Sequence, residues 1–286
     1  KTKPRDNVVI WVPRLRHDTV LSVLESPKNR SFQRNVERWC ELAPGRVSIW
    51  EYGANFVNFL YPFPCVRSLA DNIRYYHRVG VRGIMIQGNY VSTGGDMAVL
   101  KNYVWRKLMW NPELDTDALI GEFCRGYYGP AAADMALYVN TLEMAVRKPV
   151  PISADEFADP WQTYLNPALV GRLGTALRHA LARTKGDDSD PYYRRVREAQ
   201  VSVEAAVLWK DGPLEERAGK LVRTDLNEYS YPRAEQLVRY CRNASPREWG
   251  TGHGARKGFL SMHGGPLPEL VRGPVTVKAA PARNGQ

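Results

Sequence analysis

Glu51 closes the run "RVSIWEY" (46–52), in which Val47 and Ile49 alternate with Ser48 and Trp50. That alternation has the period of a half-buried strand. It places Glu51 on the apolar face, where a further hydrophobic residue would be expected. A carboxylate there is either paired and structural or held for chemistry. Arg14 and Arg16, in "RLRHD" after the first strand-like run, are the nearby cations able to pair with it. The stretch that follows, "GANFVNFLYPFP" (53–64), is rich in aromatics. Aromatic faces stack on the C–H faces of sugar rings, while carboxylates and amides meet the hydroxyls. Glu51 is therefore the candidate catalytic residue. Tyr52, Asn55 and Phe56 from this stretch are candidate substrate-binding residues.

Gln87 and Asn89 end a third strand-like run in "IQGNY". Amides at a strand end can hold hydroxyls without changing protonation state. They can equally serve as loop hydrogen-bonders. Arg14 and Arg16 offer planar donor forks that fit a carboxylate or sulfate, as on an anionic sugar. Other chemistries fall away. The five histidines have no metal-ligand spacing, the four cysteines form no C-x-x-C pair, and no G-x-S-x-G elbow occurs. "GTGHGARKG" (250–258) lacks the strand and helix that a phosphate loop requires. No cofactor or metal is implied.

These residues need elements to position them. Strands are expected at 7–13, 46–52 and 82–88, with helices at about 30–42 and 66–79 between them. Strands separated by helices indicate a parallel α/β sheet or barrel, whose working residues stand at the C-terminal ends of strands. Beyond 88 the pattern turns helical. Asp96 is the expected N-cap of a helix carrying Met97, Leu100, Val104 and Leu108 on one face, and Pro112 ends it. A helix capped by Asp115 and Thr116 runs to Gly129. Others are expected at 131–147, 166–183, 191–208, 214–228 and 232–242. The Gly- and Pro-rich tail from Ser245 is expected to be extended or disordered.

Lys and Arg outnumber Asp and Glu by 40 to 30, a net charge of +10. The basic residues are scattered rather than gathered in a stripe, so nucleic-acid binding is not expected. No run approaches a membrane span. The start "KTKPRDNVVIWVP" has no signal-peptide core and reads as the interior of a longer chain. Export to the periplasm or outside the cell would follow from a signal upstream.

"WEYGANF…YPFP", "GVRGIMIQG" and "LKNYVWRKLMWNPELDTDALIGEFCRGYYGPAA" together resemble the bacterial domain of unknown function 4838. The resemblance covers roughly Val8 to Asn140 and is most specific in "KLMWNPELD…EFCRGYYG". It implies a glycoside-hydrolase-like (β/α)₈ barrel, distantly similar to α-glucuronidase and β-hexosaminidase barrels. Glu51 would face the sugar-binding mouth, where the family often has Asp, and Gln87 would close the last strand. Trp110 and Pro112 would cap the last barrel helix, and Tyr127 and Tyr128 would pack the next.

Such a barrel takes about 250 residues, so the three strands read as its last three. A glycosidase needs two carboxyl groups roughly 5–9.5 Å apart, and the sequence nominates one. The expected organisation is a partial barrel (1–128), a helical region (129–244) and a tail (245–286). The expected function is a carbohydrate-active, glycoside-hydrolase-like protein acting on a polysaccharide or glycoconjugate. The alternative is a non-catalytic glycan-binding or scaffold protein. The open sheet edge points to self-association or to pairing with a further barrel segment.

Overall fold

The computed structural model describes residues 3–89, 95–147 and 149–210, with short backbone segments at 215–217, 220–222 and 269–270. Three parallel strands, β1 (Ile10–Pro13), β2 (Val47–Tyr52) and β3 (Gly83–Gln87), form one sheet in the order β1-β2-β3. The register pairs Val12 with Ile49 and Glu51 with Ile86. The chain is thus mixed α/β, with helices α1 (Arg30–Leu42) and α2 (Val66–Arg78) between consecutive strands. β1 begins three residues later than expected, because its ladder to β2 starts only at Ile10–Val47.

Alternation along the strands fixes two unlike faces. Val12, Val47 and Ile49 point into the helix layer, where they pack with Phe32 and Val36 of α1 and Tyr75 and Tyr76 of α2. The other face carries Trp11, Trp50 and Tyr52. Trp11 is 52% and Trp50 37% exposed, so the helices leave these side chains open to solvent.

Helices α3 (Ala98–Trp110), α4 (Thr116–Tyr128), α5 (Ala132–Met144), α6 (Pro167–Ala182) and α7 (Pro191–Lys210) follow. Met97, Leu100, Val104 and Leu108 are all buried, as their spacing predicts. Asp115 caps α4 by accepting the Ala118 N–H at 2.6 Å, and Asn166 caps α6 through Leu169 N–H at 2.9 Å. Tyr128 is buried and Tyr127 stacks on Phe123 at 4.8 Å. A single hydrophobic cluster runs from Val20 through α2 and α3 to Leu208, so the core continues across position 128.

Three expectations change. Asp96 does not cap α3; Met97 occupies that position with φ +49°. Asp96 is instead buried, accepting from Phe63 N–H at 2.9 Å and pairing with Lys101 at 3.0 Å. Both contacts tie the aromatic loop to α3, which a cap could not do. Trp110 ends α3 but is 92% exposed, so it covers nothing.

Within the expected helix over 214–228, the described residues form antiparallel β4 (Glu215–Arg217) and β5 (Lys220–Val222) instead, with β6 (Glu269–Leu270) parallel to β5; the remainder of that span lies outside the described residues. Gly219, between β4 and β5 in sequence, disfavours a helix there. The expected helix at 232–242, the phosphate-loop-like "GTGHGARKG" and Cys241 lie outside the described residues. Cys40, Cys65 and Cys124 are free thiols. No helix among the described residues is long and apolar enough to cross a membrane.

Candidate functional site

β2 sends Glu51 inward with Val47 and Ile49, as the alternation requires, and leaves it 1% exposed. Arg14, equally buried, donates from Nε to Glu51 Oε2 at 2.7 Å. Asn72 Nδ2 and the Tyr76 hydroxyl, both from α2, donate to Oε1 at 3.0 and 2.5 Å. A second Arg14 N–H goes to the Asp18 carbonyl. Burial opposes the Arg14 charge, but Glu51, with Tyr76 and Glu156 behind it, outweighs burial and holds the guanidinium above its ordinary value. Burial, then the Glu51 charge, push the Tyr76 phenol well above its usual range, so it remains a donor. The Glu51 carboxylate is neutralised and enclosed. Of the two candidate arginines, Arg14 takes the pairing, and Glu51 points toward α2 rather than toward the exposed face.

The arginines therefore separate in role. Arg16, two residues on, has a side chain 58% exposed and a backbone φ of +60°. A non-glycine residue in this left-handed region costs roughly 1–2 kcal/mol and needs local compensation. The segment 154–158, between α5 and α6, supplies it. Glu156, fully buried, accepts the Arg16 N–H at 2.8 Å through Oε1, and its Oε2 faces the Thr19 hydroxyl at 3.4 Å. The Arg16 guanidinium lies 4.2 Å above the Phe157 ring and 3.7 Å from Asp155. Burial pushes the Glu156 carboxyl up. The Arg16 N–H pulls it back, Asp155 adds to the rise, and Arg14 opposes it.

The same segment ties down the loop after β2. Phe56 N–H donates to the Glu156 carbonyl at 2.6 Å, and Asn55 Nδ2 to the Ala158 carbonyl at 2.8 Å. Thr19 N–H reaches the Ala154 carbonyl at 2.8 Å. Residues 154–158 thus form a strap joining the loops at the C-terminal ends of β1 and β2.

Asn55 and Phe56 are 1% and 2% exposed. Asn55 accepts from Val57 and Asn58 N–H groups, an Asx turn that shapes the loop. Phe59 and Phe63 are likewise buried, so most of the aromatic run packs rather than lines a surface. Tyr52 is half-buried, and Trp50 stacks beside it with ring centroids 6.3 Å apart at 20°. Gln87 Oε1 accepts the Trp50 indole N–H at 2.9 Å, which fixes the ring. Asn89 packs on Gly95, where a Cβ would lie 2.7 Å from the Asn89 Cγ.

The rings make a continuous strip. Phe157 meets Phe56 at 5.9 Å, Phe56 meets Tyr52 at 5.6 Å, and Tyr52 meets Trp50. Arg16 stands at one end and the exposed Trp50 at the other. This rim brings together Arg16, Tyr52 and Gln87; Glu51 and Arg14 lie behind it, and Asn55 and Phe56 support it. Sequence reasoning missed Trp50, Trp11, Glu156 and Phe157. The tryptophans were legible as the residues alternating with the inward face. The cue for the strap was the acidic–aromatic cluster in "PVPISADEFADPW" (149–161), which has no helical period. Among the described residues no group of three or more His, Cys, Asp or Glu is placed to hold a metal ion.

Residues 1–140 match the family model of the domain of unknown function DUF4838. The match bears out the resemblance carried by "WEYGANF" and "KLMWNPELD". No curated protein and no solved structure matches the chain.

Proposed function

Taking the DUF4838 match of residues 1–140 as premise, we propose that the chain is part of a carbohydrate-active, glycoside-hydrolase-like protein. Its three parallel strands would be a segment of a (β/α)₈ barrel, with the Trp11–Trp50–Tyr52 face turned to the barrel interior and its C-terminal end, at Trp50 and Tyr52, toward the mouth where the glycan would sit. The observation that carries this reading is the Trp50–Tyr52 stack, anchored by Gln87 near the strand ends, with Trp50 exposed and Tyr52 half-buried. Two near-parallel rings with amide groups beside them suit a pyranose, which offers apolar faces and equatorial hydroxyls. In this reading Trp50 and Tyr52 stack on sugar rings and Gln87 donates to a hydroxyl. Asn89 extends the polar edge.

In this reading the sheet and its rim bind and orient the glycan rather than cleave it. Glu51 has its charge committed to Arg14, Asn72 and Tyr76, which suits a positioning group better than a nucleophile. Asn55 and Phe56 support the rim from below.

The test is titration with oligosaccharides of defined composition, followed by tryptophan fluorescence and calorimetry. Trp50→Ala is expected to weaken binding by roughly tenfold, the upper end for loss of one stacking ring. Absence of binding to every neutral and acidic oligosaccharide tried would overturn the reading. Glu51→Gln that folds normally yet abolishes a measured cleavage would overturn the binding-only role of this part.

A further inference from the structure

Arg16 does not fit the pattern of a surface arginine. Its backbone is held in the left-handed region, at φ +60°, by a buried carboxylate 140 residues away. Its guanidinium is laid flat over Phe157 at 4.2 Å while the side chain stays 58% exposed. The nearest carboxylate, Asp155, sits at 3.7 Å and is itself partly exposed. That contact is weak enough in water for a ligand anion to compete with it. Ring, strap and strained backbone together hold an arginine fork ready at the end of the aromatic strip.

From this geometry we infer that Arg16 reads an anionic group on the bound glycan, so that the ligand is an acidic sugar chain. The inference rests on the sugar-binding reading above and names its substrate class. The strip Phe157–Phe56–Tyr52–Trp50 spaces the fork from the stacking pair. A chain stacked at Trp50 would therefore carry a charged residue farther along it toward Arg16. A guanidinium presents paired N–H donors that match the two oxygens of a carboxylate or sulfate, which an ammonium cannot do in the same way. Arg14, whose charge is spent on Glu51, takes no part in reading the ligand.

The chain carries +10 overall, so general attraction to polyanions must be separated from Arg16. Binding of a neutral xylo-oligosaccharide, an oligogalacturonate and a sulfated galactan oligosaccharide is measured at two salt concentrations. The variants are Arg16→Gln, Arg16→Lys and, as a charge control on the far helix α6, Arg178→Gln. The expected result is about tenfold tighter binding of an acidic oligosaccharide than of the neutral one, the scale of one added charge-assisted contact. The uronate and sulfate arms identify which oxyanion is read. Arg16→Gln removes that preference, lowering acidic-chain affinity to that of the neutral chain. Arg16→Lys restores little of it, and Arg178→Gln changes nothing. Thermal unfolding midpoints confirm that the variants fold.

An acidic preference that survives in Arg16→Gln, or falls equally in Arg178→Gln, would overturn the assignment to Arg16. Equal binding of neutral and acidic chains would overturn the inference and leave the sugar-binding reading standing. Failure of all three sugars to bind would overturn that reading and the inference together.

Discussion

Arg14→Met leaves the Glu51 carboxylate with only Asn72 and Tyr76 as donors in an enclosure closed to water. Breaking a buried pair from one side costs about 3–5 kcal/mol, whereas replacing both partners by apolar groups is often close to neutral. Arg14→Met is therefore expected to lower the urea-unfolding free energy by about that amount, and Arg14→Met with Glu51→Leu to recover most of it. Glu156 behaves differently. Its folded carboxyl titrates above the ordinary glutamate value, mainly because it is buried. The folded state then binds the proton more tightly, so this group makes stability fall as pH rises from the ordinary value through the raised one. Glu156→Gln keeps an acceptor for Arg16 N–H and is expected to flatten that decline, measured as urea midpoints across the acid-to-neutral range. The burial of Glu51 was legible from alternation alone. Its choice of Arg14 was not, because alternation says nothing about where a loop residue 37 positions away turns its side chain.

The helices depend on one another for their ends. α2 starts at Val66 with no side-chain cap of its own. Glu143 on α5 serves instead, accepting Val66 and Arg67 N–H groups at 2.9 and 3.1 Å, and Arg147 holds it at 3.2 Å. A carboxylate there satisfies orphan donors and meets the positive end of the helix dipole. Glu143→Ala is expected to cost about 1–3 kcal/mol, since it strands buried donors, with a matching drop in the denaturation midpoint. Gly53 links β2 to α3 by close approach: a Cβ there would lie 2.6 Å from the Trp105 ring. Gly53→Ala should destabilise by about 1–3 kcal/mol through overpacking. Helices α1, α4, α6 and α7 were readable to within two residues at each end, because caps, prolines and apolar stripes agreed. The caps of α2 and α3 were not, since Glu143 and Asp96 act across the fold rather than along the chain.

At the scale of the molecule, the hydrophobic cluster from Val20 to Leu208 and the cluster under the sheet are joined through α2, which contributes to both, and through Ile84 of β3, which packs against both. Residues 3–210 are therefore expected to unfold together, with far-UV circular dichroism and tryptophan fluorescence giving coincident transitions. Separate midpoints would mean that the helices form a unit of their own. The parallel sheet was legible because strand and helix periods alternate up to residue 88. Its exposed aromatic face was only half legible, because the aromatics that stood out in sequence are mostly buried, and the two tryptophans that face solvent stood among strand residues. The strap has a consequence in time. Its bonds to Arg16 and Thr19 span 140 and 137 residues, and its bond from Asn55 spans 103. During synthesis at about 5–20 residues per second, the first two strands emerge many seconds before the segment that fixes their loops. The rim must wait, unformed, for its last component. Closing such distant contacts late makes this a slow-folding chain, with the nascent aromatic face in need of protection until the strap arrives.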